Sequence, residues 1–162
     1  MTASTSAGAK IYIGTTTAIS FSNDAAALSA FEADTYTQVK EVEDLGEFGD
    51  ESAEVTFATM EDSRTRRYKG TRDAGVLALV CGRDPLDAGQ RAAIAAEKSQ
   101  HAYNFKVLVN DAPVGGTPTI FYFRAKVMSA KVTFGTVDDI VKITFNLGID
   151  SSIIEDVAVG TP

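Results

Sequence analysis

The sequence has few of the side chains on which most catalytic and metal sites depend. Among its 162 residues there is one cysteine, Cys81, one histidine, His101, and no tryptophan. A single cysteine excludes an intrachain disulfide, and a lone histidine has no partner at metal-ligand spacing. We therefore expect no metal ion, no cofactor and no catalytic residue, and we assign Cys81 and His101 structural roles.

Phosphate-binding glycine motifs are also missing. Neither a GxxxxGK[ST] loop nor a GxGxxG turn after a strand occurs, and Gly115 and Gly116 fall in a predicted hairpin turn. The acid pairs at 61–62 and 138–139 stand at predicted turns, where neighbouring carboxylates are usually solvated. An enzyme is therefore the least favoured class.

Long apolar runs and excess positive charge are absent as well. No segment approaches the roughly 20 apolar residues of a membrane helix, and the N-terminus lacks the basic and apolar regions of a signal peptide. We expect synthesis in a cytosol and no membrane binding. The formal net charge of −7 argues against general affinity for DNA.

The pattern that is present is mainly that of β-structure. Apolar residues alternate in "HAYNFKVLVN" (101–110), "TIFYFRAKV" (119–127) and "DIVKITFNL" (139–147), which predicts antiparallel strands joined by short turns. "GVLALVC" (75–81) is apolar on both faces and predicts a strand buried on both sides. The outward faces of two predicted strands carry Tyr122, Arg124, Lys126, Lys142, Thr144 and Asn146.

Helical signals are fewer. "RDPLDAGQRAAIAAEKSQ" (83–100) predicts one helix over about residues 85–98, with Asp84 as N-cap and Pro85 at the first position. "SNDAAALSAFEAD" (22–34) fits either an irregular excursion or one short helix.

We therefore predict one mainly β domain over residues 10–149, an antiparallel sandwich or barrel with one flanking helix. Residues 1–9 are small and polar and predict a flexible N-terminal arm, and residues 150–162 predict a C-terminal arm. A long charged loop or hairpin covers about residues 43–73.

Charge is segregated within that loop. "SRTRRYKGTR" (63–72) holds five basic residues, whereas residues 41–54 hold seven acids and no base. The two segments are consistent with solvated faces of a surface hairpin, or with self-complementary patches that join copies head to tail. A nucleic-acid site is disfavoured because Tyr68 is the segment's only aromatic residue. The self-complementary interpretation pairs Glu47, Asp50 and Glu51 of one copy with Arg64, Arg66, Arg67 and Lys69 of another.

The order of these segments resembles the major tail tube protein of long, non-contractile-tailed (lambda-like) bacteriophages. The resemblance covers about residues 10–155. It is carried by Gly70, Asp73 and Gly75 before the strand at 75–81, by the helix after that strand, and by "FRAKVMSAKVTFGTVDDIVKITFNLGI" (123–149). Residues 22–36 match no element of that family.

The resemblance implies a tail-tube-like β-sandwich that assembles into hexameric rings, whose inner strands form a continuous barrel around a channel. Rings stack into the virion tail, and DNA passes through transiently during infection. The termini and one long loop contact neighbouring rings, and the polar strand residues face the lumen or the exterior. Implied partners are further copies and the tape measure, tail terminator and tail tip proteins, with assembly in the host bacterial cytoplasm.

Two alternatives stay open. One is a type VI secretion-like tube protein or a tail terminator ring, which shares the sandwich. The other, from a different class, is a monomeric β-sandwich module that binds carbohydrate or a small ligand.

Overall fold

The computed structural model describes residues 3–160, and the ends of both predicted arms (1–2 and 161–162) lie outside the described residues. The elements are, in chain order, β1 (Lys10–Ile13), α1 (Asp24–Glu32), β2 (Thr37–Val39), β3 (Val42–Asp44), β4 (Glu51–Ala58), β5 (Thr65–Asp73), β6 (Val76–Gly82), α2 (Ala88–Lys98), β7 (Tyr103–Leu108), β8 (Ile120–Thr133), β9 (Lys142–Ile149) and β10 (Ile154–Asp156).

Eight of the described strands form one antiparallel sheet in the order β2-β1-β7-β8-β9-β6-β3, with β10 beside β8. β2 and β3 lie at opposite ends of this order, yet only Lys40 and Glu41 separate them along the chain. Three Cα–Cα steps span at most about 11 Å, so the sheet must curl until its two ends approach each other. The predicted mainly antiparallel β domain is confirmed.

The core lies inside the curled sheet. Along β9 the buried residues are Ile143, Phe145, Leu147 and Ile149, and each alternates with a partly exposed neighbour. Phe105 of β7 and Phe123 of β8 stack in the same core, with ring centroids 5.7 Å apart. The two-residue period of apolar side chains thus places one face of each strand inward, which removes apolar surface from water.

Helix α2 bridges the two ends of the curled sheet through polar contacts. The Asp87 carboxylate accepts hydrogen bonds from the backbone N–H groups of Gln90 (3.0 Å) and Lys40 (3.1 Å). Gln90 is fully buried, and its amide donates to the carbonyl oxygens of Lys40 (3.2 Å) and Gly82 (2.8 Å). The predicted N-cap, Asp84, is therefore wrong: Asp87 caps the helix, because only its carboxylate also reaches the end of β2.

A second helix, α1, corrects the prediction of a single flanking helix. Its N-cap is Asn23, whose side chain accepts a hydrogen bond from the Ala26 N–H at 2.7 Å. Phe31 of α1 is fully buried and stacks on Tyr122 of β8, with centroids 5.5 Å apart. The short-helix alternative for residues 22–34 is thus confirmed, and the irregular excursion is wrong.

Part of the predicted C-terminal arm belongs to the sheet. β10 pairs with β8 in the register Ile154↔Tyr122, and Ile154 is buried with Phe31 in a second apolar cluster beneath α1. β9 pairs with residues 125–133 of β8, and the three-residue strand β10 pairs with residues 120–122. The ordered domain therefore extends beyond residue 149.

Strand β6 is buried on one side only, which corrects the prediction for "GVLALVC". Leu77, Leu79 and Cys81 face the core, whereas Val76 is 61% exposed and Ala78 is also exposed. An apolar composition on both faces of a strand does not show whether the outer face is packed against other residues or exposed to solvent.

Candidate assembly surface

The β4–β5 hairpin stands apart from the curled sheet. It forms its own two-stranded antiparallel ladder, from Glu51↔Asp73 to Ala58↔Thr65. None of its residues 51–73 belongs to either apolar core cluster. Eight residues of strand extend about 27 Å. An isolated two-stranded hairpin is only marginally stable in water, so this hairpin depends on its own side-chain pairs or on a partner.

One face of the hairpin is apolar although it is exposed. Directly paired residues share a face, so Val55 lies beside Tyr68, and Phe57 beside Arg66. Val55, Phe57 and Tyr68 are each about half exposed. Aromatic and branched side chains grouped on an open face are typical of a surface that binds another protein.

The other face carries ion pairs within the chain. Arg67 contacts Glu54 across the two strands, and Arg72 lies 2.8 Å from the Asp50 carboxylate. These side chains are largely solvated, so each pair is expected to contribute only about 0.2–1 kcal/mol. The ion pairs therefore contribute little to the stability of the domain.

Asp62 organises the turn at the distal end of the hairpin. Its carboxylate accepts hydrogen bonds from the Thr59 hydroxyl (2.6 Å) and the Arg64 N–H (3.1 Å), and it pairs with Arg66 at 2.8 Å. The hydrogen bond from Thr59 and the Arg66 guanidinium lower the pKa of Asp62 to about 2. Met60 projects from the same turn and is fully exposed.

The predicted contact residues are thus divided between the root and the length of the hairpin. Glu47 and Glu51 are exposed at the root, where Asp50 is already paired with Arg72 of the same chain. Among residues 3–160, no carboxylate lies within ion-pair distance of Arg64 or Lys69. Which acids these two bases meet in a neighbouring copy stays a prediction.

Tyr122 does not lie on an open polar face, which corrects that prediction. It is only 4% exposed, because α1 and β10 cover the end of the sheet where it lies. Arg124 follows on the same face, and its guanidinium donates to the carbonyl oxygens of Ala102 (3.2 Å) and Thr16 (3.4 Å). Both side chains therefore serve the packing of this chain.

The remaining predicted polar-face residues are at least partly exposed. Lys142 forms an ion pair with Glu43 at 2.8 Å, and Lys126 lies 3.9 Å from Asp150. Asn146 donates a hydrogen bond to the Ser129 hydroxyl at 2.9 Å, and Thr144 is half-buried. That this face borders either the lumen or the exterior of a tube stays a prediction.

Two observations on the described residues concern metal binding and thiol reactivity. Within residues 3–160 no cluster of histidine, cysteine or acidic side chains is suited to hold a metal ion. Burial, and then the Asp87 charge, raise the pKa of the Cys81 thiol to about 12, so it is not a ready nucleophile. No helix among the same residues is long and apolar enough to cross a membrane.

The fold of this chain is similar to that of chains in three solved structures of tails and injection systems. The SPP1 tail tube is 14% identical, with a TM-score of 0.62 over 94% of this chain and 78% of that chain. The sheath/tube terminator of the extracellular contractile injection system PVC is 12% identical, with a TM-score of 0.64 over 97% and 99%. The anti-feeding prophage baseplate is 12% identical, with a TM-score of 0.62 over 97% of each chain.

The family is shown by a direct sequence comparison. The family model described as phage tail tube protein matches residues 1–153. The chain therefore belongs to the phage tail tube protein family and is a structural component of the phage tail, as the sequence resemblance predicted. No curated protein matches the sequence.

Proposed function

We propose that copies of this chain form hexameric rings that stack into a tail tube, through which DNA passes during infection. The observation that carries the proposal is the β4–β5 hairpin, which extends from the domain with half-exposed Val55, Phe57 and Tyr68 on one face. Burial of the exposed half of each side chain against a neighbour would contribute about 1 kcal/mol per residue. A monomer leaves that surface in water.

An open strand edge supports ring formation. β7 pairs with β8 only as far as Tyr103↔Ala125, and beyond that point β8 pairs only with β9 on its other edge. Among the described residues, no backbone hydrogen bond reaches the free edge at 126–133. A strand from the adjacent copy would satisfy these N–H and C=O groups and would remove an edge that is prone to aggregation. The related baseplate structure is described as 6-fold symmetrised, which supports six copies per ring.

The charge of the chain suits passage of DNA. A net charge of −7 disfavours adhesion of phosphates to the channel wall, and an adhesive wall would slow transit. The polar faces of β8 and β9 are candidates for that wall, because two of their lysines already face carboxylates: Lys142 pairs with Glu43, and Lys126 lies 3.9 Å from Asp150. The ends of the tube would bind tape measure, tail terminator and tail tip proteins, and assembly would take place in the host cytoplasm before the tube enters the virion.

Sedimentation together with negative-stain microscopy of the purified protein tests the proposal. We expect long tubes of stacked rings with a central channel. Isolated rings without tubes would favour the second candidate, a tail terminator, for which the fold of the PVC sheath/tube terminator is the supporting observation. A strictly monomeric protein at all concentrations would contradict both and favour the ligand-binding module.

A further inference from the structure

A second exposed apolar surface lies at the turn between β8 and β9, residues 134–141. Phe134, Val137 and Ile140 are 70%, 99% and 73% exposed. The same turn carries Asp138 and Asp139 and no basic residue. We refer to this segment as the β8–β9 turn.

The β8–β9 turn is held in one shape. The Asp139 carboxylate accepts hydrogen bonds from the Thr136 N–H (2.7 Å) and the Thr136 hydroxyl (3.0 Å). Gly135 has a φ of 69°, in the left-handed region that favours glycine. The exposed apolar side chains therefore project from an ordered turn, which lowers the entropy that binding would cost.

Sheet register places this turn and the root of the hairpin at opposite ends of the β6–β9 strand pair. β6 pairs with β9 from Val76↔Gly148 to Gly82↔Lys142. The hairpin enters β6 at Val76, whereas the β8–β9 turn enters β9 at Lys142, beside Gly82. Six steps of strand separate the two ends by roughly 20 Å. When copies share one orientation, as in a tube, a contact between two different surfaces at opposite ends is head to tail and can extend a stack.

The two surfaces are complementary in chemistry. The distal end of the hairpin exposes Phe57 and Met60 beside the bases Arg64 and Arg66. The β8–β9 turn exposes apolar side chains beside two carboxylates. Asp50 already binds Arg72 of the same chain and Arg66 already binds Asp62, so Arg64 is the distal base that has no ion pair among residues 3–160.

We propose that the distal end of the hairpin of one copy binds the β8–β9 turn of the next copy along the tube. The inference rests on the proposed function and names the contact between successive rings. Apolar side chains bury against each other, and the hairpin bases meet Asp138 and Asp139. Charge complementarity sets the direction in which the copies stack.

A cysteine pair tests this contact directly. Met60→Cys and Val137→Cys change two fully exposed side chains, so the fold is preserved. The native Cys81 is buried with a raised thiol pKa and does not compete for reagent. We expect a short bismaleimide, added to tubes of the double variant, to give a ladder of trimers and longer chains on a denaturing gel. Each single variant should give dimers at most.

The control is the pair Met60→Cys with Val157→Cys, since Val157 is exposed but belongs to neither surface. A ladder from the control, or no ladder from Met60→Cys/Val137→Cys in tubes confirmed by microscopy, overturns the inference and leaves the proposed function intact. Wild-type protein that forms no tubes overturns the proposed function itself. If Met60→Cys/Val137→Cys blocks tube growth, the double variant Arg64→Cys/Asp138→Cys replaces it. A ladder of trimers and longer chains supports the contact, and no ladder overturns it.

Discussion

Charge reversal on the hairpin should separate assembly from folding. In the double variant Arg66→Glu/Arg67→Glu, one substitution faces Asp62 and the other faces Glu54, so two ion pairs become like-charge contacts. The affected side chains are all substantially exposed. We expect tube growth to fail while the monomer stays folded.

The magnitude follows from the solvation of these pairs. Each exposed pair contributes about 0.2–1 kcal/mol, and repulsion adds a similar amount. The cost of about 1–4 kcal/mol falls on a hairpin whose residues lie outside both core clusters. Less than about 1 kcal/mol should therefore reach the global unfolding of the domain, which is a shift of its melting temperature by less than about 4 °C. For the proposed ring of six, a loss of only about 1 kcal/mol per copy becomes about 6 kcal/mol per stacked ring, which is roughly a 10⁴-fold change in the stacking equilibrium constant.

The assay combines thermal melting, followed by circular dichroism, with sedimentation and microscopy of the tubes. The matched control is Arg91→Glu/Lys98→Glu, which makes the same change in net charge on exposed residues of α2. Tubes of normal length and yield from the hairpin variant would refute the reasoning. Equal loss of tubes in the control would assign the effect to net charge instead of the hairpin.

Three further predictions concern the domain and the hairpin turn. Gly89→Ala should lower the free energy of unfolding by about 1–3 kcal/mol in a denaturant titration, because a methyl group there would meet the Gln38 carbonyl, whereas Gly82→Ala, with ordinary contacts, should be nearly neutral. Cys81 should react with maleimide at pH 7 only as fast as the protein unfolds, and rapid labelling of the native state would contradict its burial and raised pKa. The Asp62 pKa is depressed from 3.8 to about 2, so the contacts of its ionised form should persist at pH 4 and be lost as the pH falls towards 2. The chemical shift of the Asp62 carboxyl carbon in a nuclear magnetic resonance titration measures the midpoint of its protonation. A midpoint near pH 4 would contradict the hydrogen-bonded turn.

The strands of the C-terminal half were predictable because one of their faces is covered by the core. A two-residue period in β7, β8 and β9 is visible without knowledge of the neighbours, and these strands are confirmed. Helix α2 was predictable from its alanine-rich body, but its start was not. Asp84 and Asp87 both suit an N-cap, and the choice depends on Lys40, which is distant in sequence.

The wrong predictions of burial share one physical cause. Whether a side chain is covered by segments distant in the sequence cannot be deduced from the residues next to it. Tyr122 follows the polar period of its strand, but α1 and β10 bury it. Val76 follows an apolar run, yet nothing in the described chain covers it. The Asn23 cap and the alanines after it were the available signal for α1, although its apolar face is too short to decide the assignment.

The hairpin was predictable as a charged segment but not as a set of contacts. Clustered bases after clustered acids fit either solvated faces or an interaction surface, whereas the pairing of Arg67 with Glu54 and of Arg72 with Asp50 depends on strand register. The half-exposed Val55, Phe57 and Tyr68 point to a contact surface because the hairpin lies outside both core clusters, which the sequence does not show.

The most direct test of the account is a cryo-electron microscopy reconstruction of the assembled protein. The account predicts stacked rings of six copies around an open channel, with the apolar face of each β4–β5 hairpin buried against another copy. Rings or monomers in which Val55, Phe57 and Tyr68 remain exposed to solvent would contradict it.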